Sequence, residues 1–172
     1  VIMYAGAIEA EYGFDTLAKA FMSLQRDNIE LHVYGGGKFV KQLLEYQQLD
    51  SRIKYQGVVT NEEIIVAEQK ATLLVNPRYS TQEFVKYSFP SKNIEYLLSG
   101  KPVVGYMLSG MSEDYRRFMH IVADDRVESL RDAIAAAGRT PVTADARDYL
   151  TRRCEAGSIA RQILAMNGME VK

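Results

Sequence analysis

Short apolar runs that alternate with stretches of helical spacing leave this chain few folds, because such alternation builds strand–helix–strand units. The candidate strands are Val1–Ala5, Glu30–Tyr34, Arg52–Tyr55, Thr72–Val75, Pro102–Tyr106 and Met119–Ala123. Phe14, Leu17, Ala18, Phe21 and Leu24 make an i, i+3, i+4, i+7 stripe between the first two, and Phe39, Val40, Leu43 and Leu44 repeat it. Thr60 followed by Glu63 is a capping-box signal for a third helix. Ile94, Leu97 and Leu98 mark a fourth helix, stopped by Gly100 and Pro102, and Val127, Leu130, Ile134 and Ala137 mark a fifth. The pattern predicts an α/β domain over 1–138, a doubly wound parallel sheet of about six strands with helices on both faces. Residues 139–172 read as a linker and a polar helical extension, with helical segments at Ala146–Leu150 and Ile159–Leu164. The opening Val1–Ala5 run lacks an initiator methionine or charged leader, and a chain that begins inside a buried strand reads as an excised or C-terminal domain of a longer protein.

Composition removes several functions. Lys and Arg total 21 against 22 Asp and Glu, for a net charge of −1, so no global field draws nucleic acid or an anionic membrane. The single cysteine, Cys154, excludes an internal disulfide framework and a multi-cysteine zinc site, and it has no nearby histidine to activate it. His32 and His120 are the only histidines, each in or beside a predicted strand, and they read as packing residues because metal ligation needs clustered ligands. No apolar run approaches the ~20 residues needed to span a bilayer. Gly35-Gly36-Gly37-Lys38 lacks the last glycine of a dinucleotide fingerprint, where Val40 stands, and it is no P-loop, since His32 holds the first glycine position. There is no G-x-S-x-G elbow.

In doubly wound sheets ligands bind beyond the carboxyl ends of the strands, at helix N-termini. The loops there are 6–13, 35–37, 57–61, 76–91 and 107–112, and the fourth is the longest and richest in cations. It leads through Asn76-Pro77-Arg78 to Phe89-Pro90-Ser91-Lys92, where Pro90 fixes φ near a helix start and Ser88 or Ser91 can cap it. Free N–H groups at that start, with the Lys92 ammonium, suit a phosphate. Glu95 lies one turn further along the same face. Its carboxylate can accept two hydroxyls of a diol, or it can pair with Lys92 or Lys101 on a solvated face; the residues alone leave both readings open.

The segment N-P-R … Y-S-F-P-S-K-N-I-E-Y-L-L-S-G-K-P-V-V, residues 76–78 and 87–104, resembles the C-terminal, sugar-nucleotide-binding domain of family 4 glycosyltransferases of the GT-B fold, particularly bacterial polysaccharide members. Tyr4-Ala5-Gly6 … Tyr12-Gly13-Phe14, then Tyr34-Gly35-Gly36-Gly37, then Tyr55-Gln56-Gly57-Val58-Val59 follow in the family's order, and the likeness spans roughly residues 1–137. The resemblance implies a Rossmann-like fold and retaining transfer of a sugar from a nucleoside diphosphate sugar to a glycan or lipid-linked acceptor. The acceptor would be held by an N-terminal domain outside this sequence. No cofactor or metal is implied, and the location implied is cytoplasmic, with the parent protein a candidate for the inner face of the cell membrane.

Carried across, Glu95 matches the glutamate that holds the ribose hydroxyls, while Phe89, Pro90, Ser91 and Lys92 match the phosphate-facing helix start. Gly6, Ala7, Gly35 and the Gly57-Val58 backbone match loops lining the nucleotide. Three positions depart from the family: Tyr87 stands where its first glutamate would be, and Ala7 and Tyr12 replace an arginine and a lysine. Neutralising the diphosphate, the catalytic task, then falls to Lys92 and Arg78, with Lys86 a weaker third. A degenerate, non-catalytic nucleotide-binding or interaction module is the alternative those departures raise. A flavodoxin-like signalling domain would need an acidic cluster at the strand ends, and none is evident.

Overall fold

The computed structural model describes residues 1–79, 91–108, 111–138 and 146–154, with the side chains of 147, 151, 153 and 154 left aside. Expectations placed on Lys86, Tyr87, Ser88, Phe89, Pro90, the linker beyond Gly138, the Cys154 thiol and the 159–164 segment lie outside the described residues.

Six parallel strands form one sheet in the order β3-β2-β1-β4-β5-β6. They are β1 (Ile2–Ala5), β2 (Leu31–Tyr34), β3 (Ile53–Gly57), β4 (Leu73–Asn76), β5 (Val103–Gly105) and β6 (His120–Ile121). Each sits within three residues of its sequence expectation and is mostly shorter, because only the paired stretch of an apolar run counts as strand. The helices are α1 (Phe14–Met22), α2 (Val40–Leu49), α3 (Asn61–Lys70), α4 (Ser91–Leu98), α5 (Val127–Ala137) and α6 (Ala146–Cys154). Two 3₁₀ turns, Ala10–Tyr12 and Glu113–Arg117, were not legible in the spacing, since a single turn leaves no periodic stripe.

The chain runs from β1 outward to β3, then returns to β4 and runs the other way to β6. Right-handed crossovers therefore place α1 and α2 on one face and α3 and α4 on the other. Helix α5 packs against α1, and α6 against α4. Phe14, Leu17, Phe21, Leu130 and Ile134 fill the first layer, and Tyr96, Leu97 and Leu150 belong to the second. Helix α6 falls within the expected extension but docks on the domain, burying Ala146 and Leu150 and setting Tyr149 against Phe118 and Tyr115.

Helix α3 opens as the sequence indicates. The Thr60 side chain accepts from the Glu63 N–H while the Glu63 carboxylate accepts from the Thr60 N–H, a complete capping box.

Between the two halves of the sheet the strands part. β1 pairs with β4 only at Ile2↔Leu73 and Met3↔Leu74, although both continue to Ala5 and Asn76. This is the point where the strand order reverses, and crevices form there.

Candidate nucleotide-binding site

Three glycine-containing loops close one side of the crevice, and backbone hydrogen bonds stitch them together. The Gly6 N–H donates to Tyr34 C=O at 3.0 Å, Ile8 N–H to Gly36 C=O at 2.8 Å, and Gly35 N–H to Gly57 C=O at 2.8 Å. Two tyrosines add side-chain ties, Tyr4 Oη to Ala7 C=O at 2.6 Å and Tyr55 Oη to Gly35 C=O at 2.9 Å. Gly35 has φ +126°, and a Cβ there would lie 2.0 Å from the Gly6 carbonyl oxygen. Its glycine is required by the neighbouring loop, so the close approach is protein to protein.

Helix α4 closes the other side. It is locked by two buried residues that the sequence reading passed over. Asn93 accepts from Asn76 Nδ2 at 2.6 Å and donates to Met111 Sδ at 3.2 Å. Tyr96, fully buried, accepts the Ala5 N–H at 2.8 Å and donates to Ala5 C=O at 3.2 Å. That hydroxyl fills the fork between β1 and β4, where β4 no longer pairs with β1 and Ala5 keeps a strand partner only on the β2 side. Burial pushes the Tyr96 pKa well above its ordinary value, so it serves as a neutral donor and acceptor.

Two adjoining hollows result, both lined by Ala5, Gly6, Ala7 and Lys92. The first, about 350 Å³, is bounded by Tyr34, Gly35, Gly36, Val58, Val59 and Glu95. The second, about 140 Å³, is bounded by Tyr4, Tyr12, Asn76, Arg78, Ser91 and Leu108. Gly57 does not line either hollow and reaches the site only through its carbonyl, which accepts from the Gly35 N–H, while Val58 lines the larger hollow and is largely exposed.

Lys92 and Glu95 form an ion pair of 2.8 Å, with side chains 32% and 41% exposed. The bland alternative, a Lys92–Glu95 pair, is therefore real, but both residues line the crevice. Lys92 also lies 5.4 Å from the Tyr96 ring centroid. Arg78 stacks on Tyr12, its Cζ 5.1 Å from the ring centroid, and its N–H donates to Asn76 Oδ1 at 3.4 Å. Tyr12, which replaces a lysine of the resembled family, thus supports an arginine from another loop.

The structure brings together Gly6, Ala7, Gly35, Arg78, Ser91, Lys92 and Glu95, the pattern in which a diol, a diphosphate and a helix N-terminus can meet. The histidines stay away from it: His32 pairs with Glu30 at 2.8 Å, and His120 is on β6 with its pKa lowered by burial. Among the described residues no group of three or more His, Cys, Asp or Glu side chains could hold a metal ion, and no helix is long and apolar enough to cross a membrane.

Comparison with known proteins bears on the family and the fold. The family model described as "Glycosyl transferases group 1" matches residues 1–139, most of the chain, and the protein belongs to that family. A search of curated proteins gave no match. Among solved structures, the chain is similar to Alr3699/HepE of Anabaena in complex with UDP, with a TM-score of 0.73 at 17% identity over 97% of this chain and 48% of that one. It is similar to a TarM G117R mutant of S. aureus, crystallised with Fondaparinux, alpha-GlcNAc-glycerol and UDP, with a TM-score of 0.74 at 17% identity over 96% of this chain and 34% of that one. A third is sucrose-phosphate synthase of Thermosynechococcus elongatus, at 0.72 and 19% identity over 96% of this chain and 45% of that one. At these identities the likeness establishes the fold, the Rossmann-like domain of GT-B glycosyltransferases. The chain spans half or less of the length of each.

Proposed function

We propose that this chain is the donor-binding half of a family 4 glycosyltransferase, of the kind that builds bacterial polysaccharides. It would move a sugar, with retention, from a nucleoside diphosphate sugar to a glycan or lipid-linked acceptor held by a further domain. The observation that carries the reading is the placement of Lys92, Glu95 and Arg78 around one crevice at the sheet's reversal point. Ribose hydroxyls donate to Glu95, and the diphosphate lies against the start of α4, Lys92 and Arg78. The neighbours bound to UDP or UDP-glucose support a donor of that class.

Cleavage of the sugar–phosphate bond leaves negative charge on the departing oxygen. Fixed cations at the crevice stabilise that charge most in the transition state, with no need for a metal. We place the reaction in the cytoplasm, with the parent at the inner face of the cell membrane.

Calorimetry with UDP, GDP and ADP tests the binding half. In the full-length protein, Lys92→Ala should lower kcat more than it raises KM, by roughly 10²–10³-fold, as when one preorganised donor is lost. Near-wild-type turnover in both Lys92→Ala and Arg78→Ala would overturn the assignment of charge neutralisation. Binding without any turnover in the full-length protein would favour the non-catalytic nucleotide-binding module.

A further inference from the structure

Helix α3 buries the wrong residue for an ordinary surface helix. Its only buried side chain is Glu68, 2% exposed, while Ile65 and Val66 are 50% and 49% exposed. A pattern that hides a carboxyl and shows two branched hydrophobes gives up stability, and such local violations belong at functional sites. The Glu68 Oε1 atom is buried and has no hydrogen-bond partner. The carboxyl is within hydrogen-bonding range of Glu95 of α4, with Lys92 nearby.

Two ionised carboxylates cannot hydrogen-bond each other, because both only accept. One proton must lie between them. It belongs on Glu68, since an unpaired buried carboxylate beside another negative charge is costly, whereas Glu95 keeps the Lys92 ammonium at 2.8 Å. Burial first, then the Glu95 charge and the hydrogen bond with it, push the Glu68 pKa up to about 7, with Lys92 pulling the other way. The Tyr96 hydroxyl also feels Glu68 but stays protonated through this range.

We propose that Glu68 is a positioning residue for the nucleotide site: its buried, protonated carboxyl donates a hydrogen bond to Glu95 and fixes that carboxylate between Glu68 and Lys92, with its remaining acceptor capacity facing the crevice. The proposal rests on the reading that Glu95 receives the ribose hydroxyls. It makes nucleotide affinity depend on the protonation of a residue that does not line the crevice. When Glu68 ionises, two adjacent carboxylates compete for one lysine, Glu95 is pushed from its seat, and the diol loses its acceptor.

The sign of the linkage follows from the raised pKa. The folded chain retains a proton that the unfolded chain loses above its ordinary value of 4.5, so this contribution to stability declines as pH rises from about 4.5 to about 7. Glu68→Gln, which donates through its amide at every pH, removes that decline.

The test compares wild type with Glu68→Gln in two measurements. Thermal melting without nucleotide, from about pH 5 to about pH 8, should show a downward trend in wild type that the variant lacks. UDP calorimetry should show wild-type affinity falling roughly tenfold between about pH 6 and about pH 8.5, with little change in the variant. An infrared carboxylic-acid band in wild type, present near pH 6 and lost near pH 8.5, reads the proton independently if the variant fails to fold. Equal pH trends in wild type and variant, or absence of that band at pH 6, would overturn the proposal. No UDP binding by wild type at any pH would strike the nucleotide reading itself, and this proposal with it.

Discussion

Helices α1 and α3 both carry the chain from one strand to the next, yet they bury opposite kinds of residue. Six of the nine residues of α1 are buried, Phe14, Thr16, Leu17, Ala18, Ala20 and Phe21 among them. In α3 the buried residue is Glu68 alone. The first helix is held by removal of apolar surface from water, which needs no particular partner. The second sets Ile64 and Ala67 only partly against the core, and its one fully buried position is a carboxyl beside Glu95 of α4. On the proposal made for Glu68, one element supports the fold and the other supports the site. Substitutions in the two should therefore separate stability from binding.

The largest effect is expected at Phe21, fully buried in α1 and beneath the Arg52 guanidinium at 5.0 Å. Phe21→Ala should cost about 3–5 kcal/mol of unfolding free energy, read from denaturant titration, with nucleotide affinity unchanged at temperatures where the protein is folded. The reverse result, intact stability with lost affinity, would break the contrast.

Glu95→Ala should weaken UDP binding by roughly 2–4 kcal/mol, because two charge-assisted hydrogen bonds are lost and such losses do not add fully. Its melting temperature should fall only by what leaving the buried Glu68 carboxyl without its partner costs, about 1–3 kcal/mol, since the Glu95 side chain itself faces the crevice. Unchanged affinity would return Glu95 to the role of a surface partner for Lys92.

Gly35→Ala sharpens the comparison from a third position. The new Cβ meets the Gly6 carbonyl at 2.0 Å in a backbone conformation that L residues rarely adopt. Melting should therefore fall by the equivalent of about 1–3 kcal/mol, the range for a residue forced into a strained conformation. A variant that melts normally but binds poorly would mean that the glycine serves the ligand instead of the neighbouring loop.

The smallest effect is expected on the outer side of α3. Ile65→Lys should change stability by less than about 0.5 kcal/mol and leave binding intact, as for an exposed position away from special contacts. A large loss in either measurement would show that α3 has a hydrophobic role not apparent in its burial pattern.

The alternation of apolar runs and helical stripes was enough to place every strand and the sheet class, because each βα unit carries its own period, caps and breakers. Gly100 and the Thr60–Glu63 box did their work within a few residues of themselves. The site was half legible. Lys92 and Glu95 stand one turn apart, so a single helix declares them, and Arg78 enters from the same strand end. Glu68, Asn93 and Tyr96 were not legible as site residues. Glu68 stands among glutamates and a glutamine that read as a wetted face, and nothing in the sequence reveals that the fold buries it beside Glu95 of α4. Tyr96 looks like one more core aromatic, since nothing near it in sequence reveals the open fork it fills.

That fork bears on how the protein reaches its native state. The hydroxyl that completes it joins residues 91 positions apart, whereas the ties among the glycine loops span a few tens. Contacts of long sequence separation carry the greater closure entropy and tend to form after local ones have accumulated. A chain with β1, β2 and β3 already zipped would have its loops in place and still lack a crevice. Competence to hold a ligand would arrive only as α4 docks, so nucleotide added during refolding should report the end of the process and leave its early steps unaccelerated.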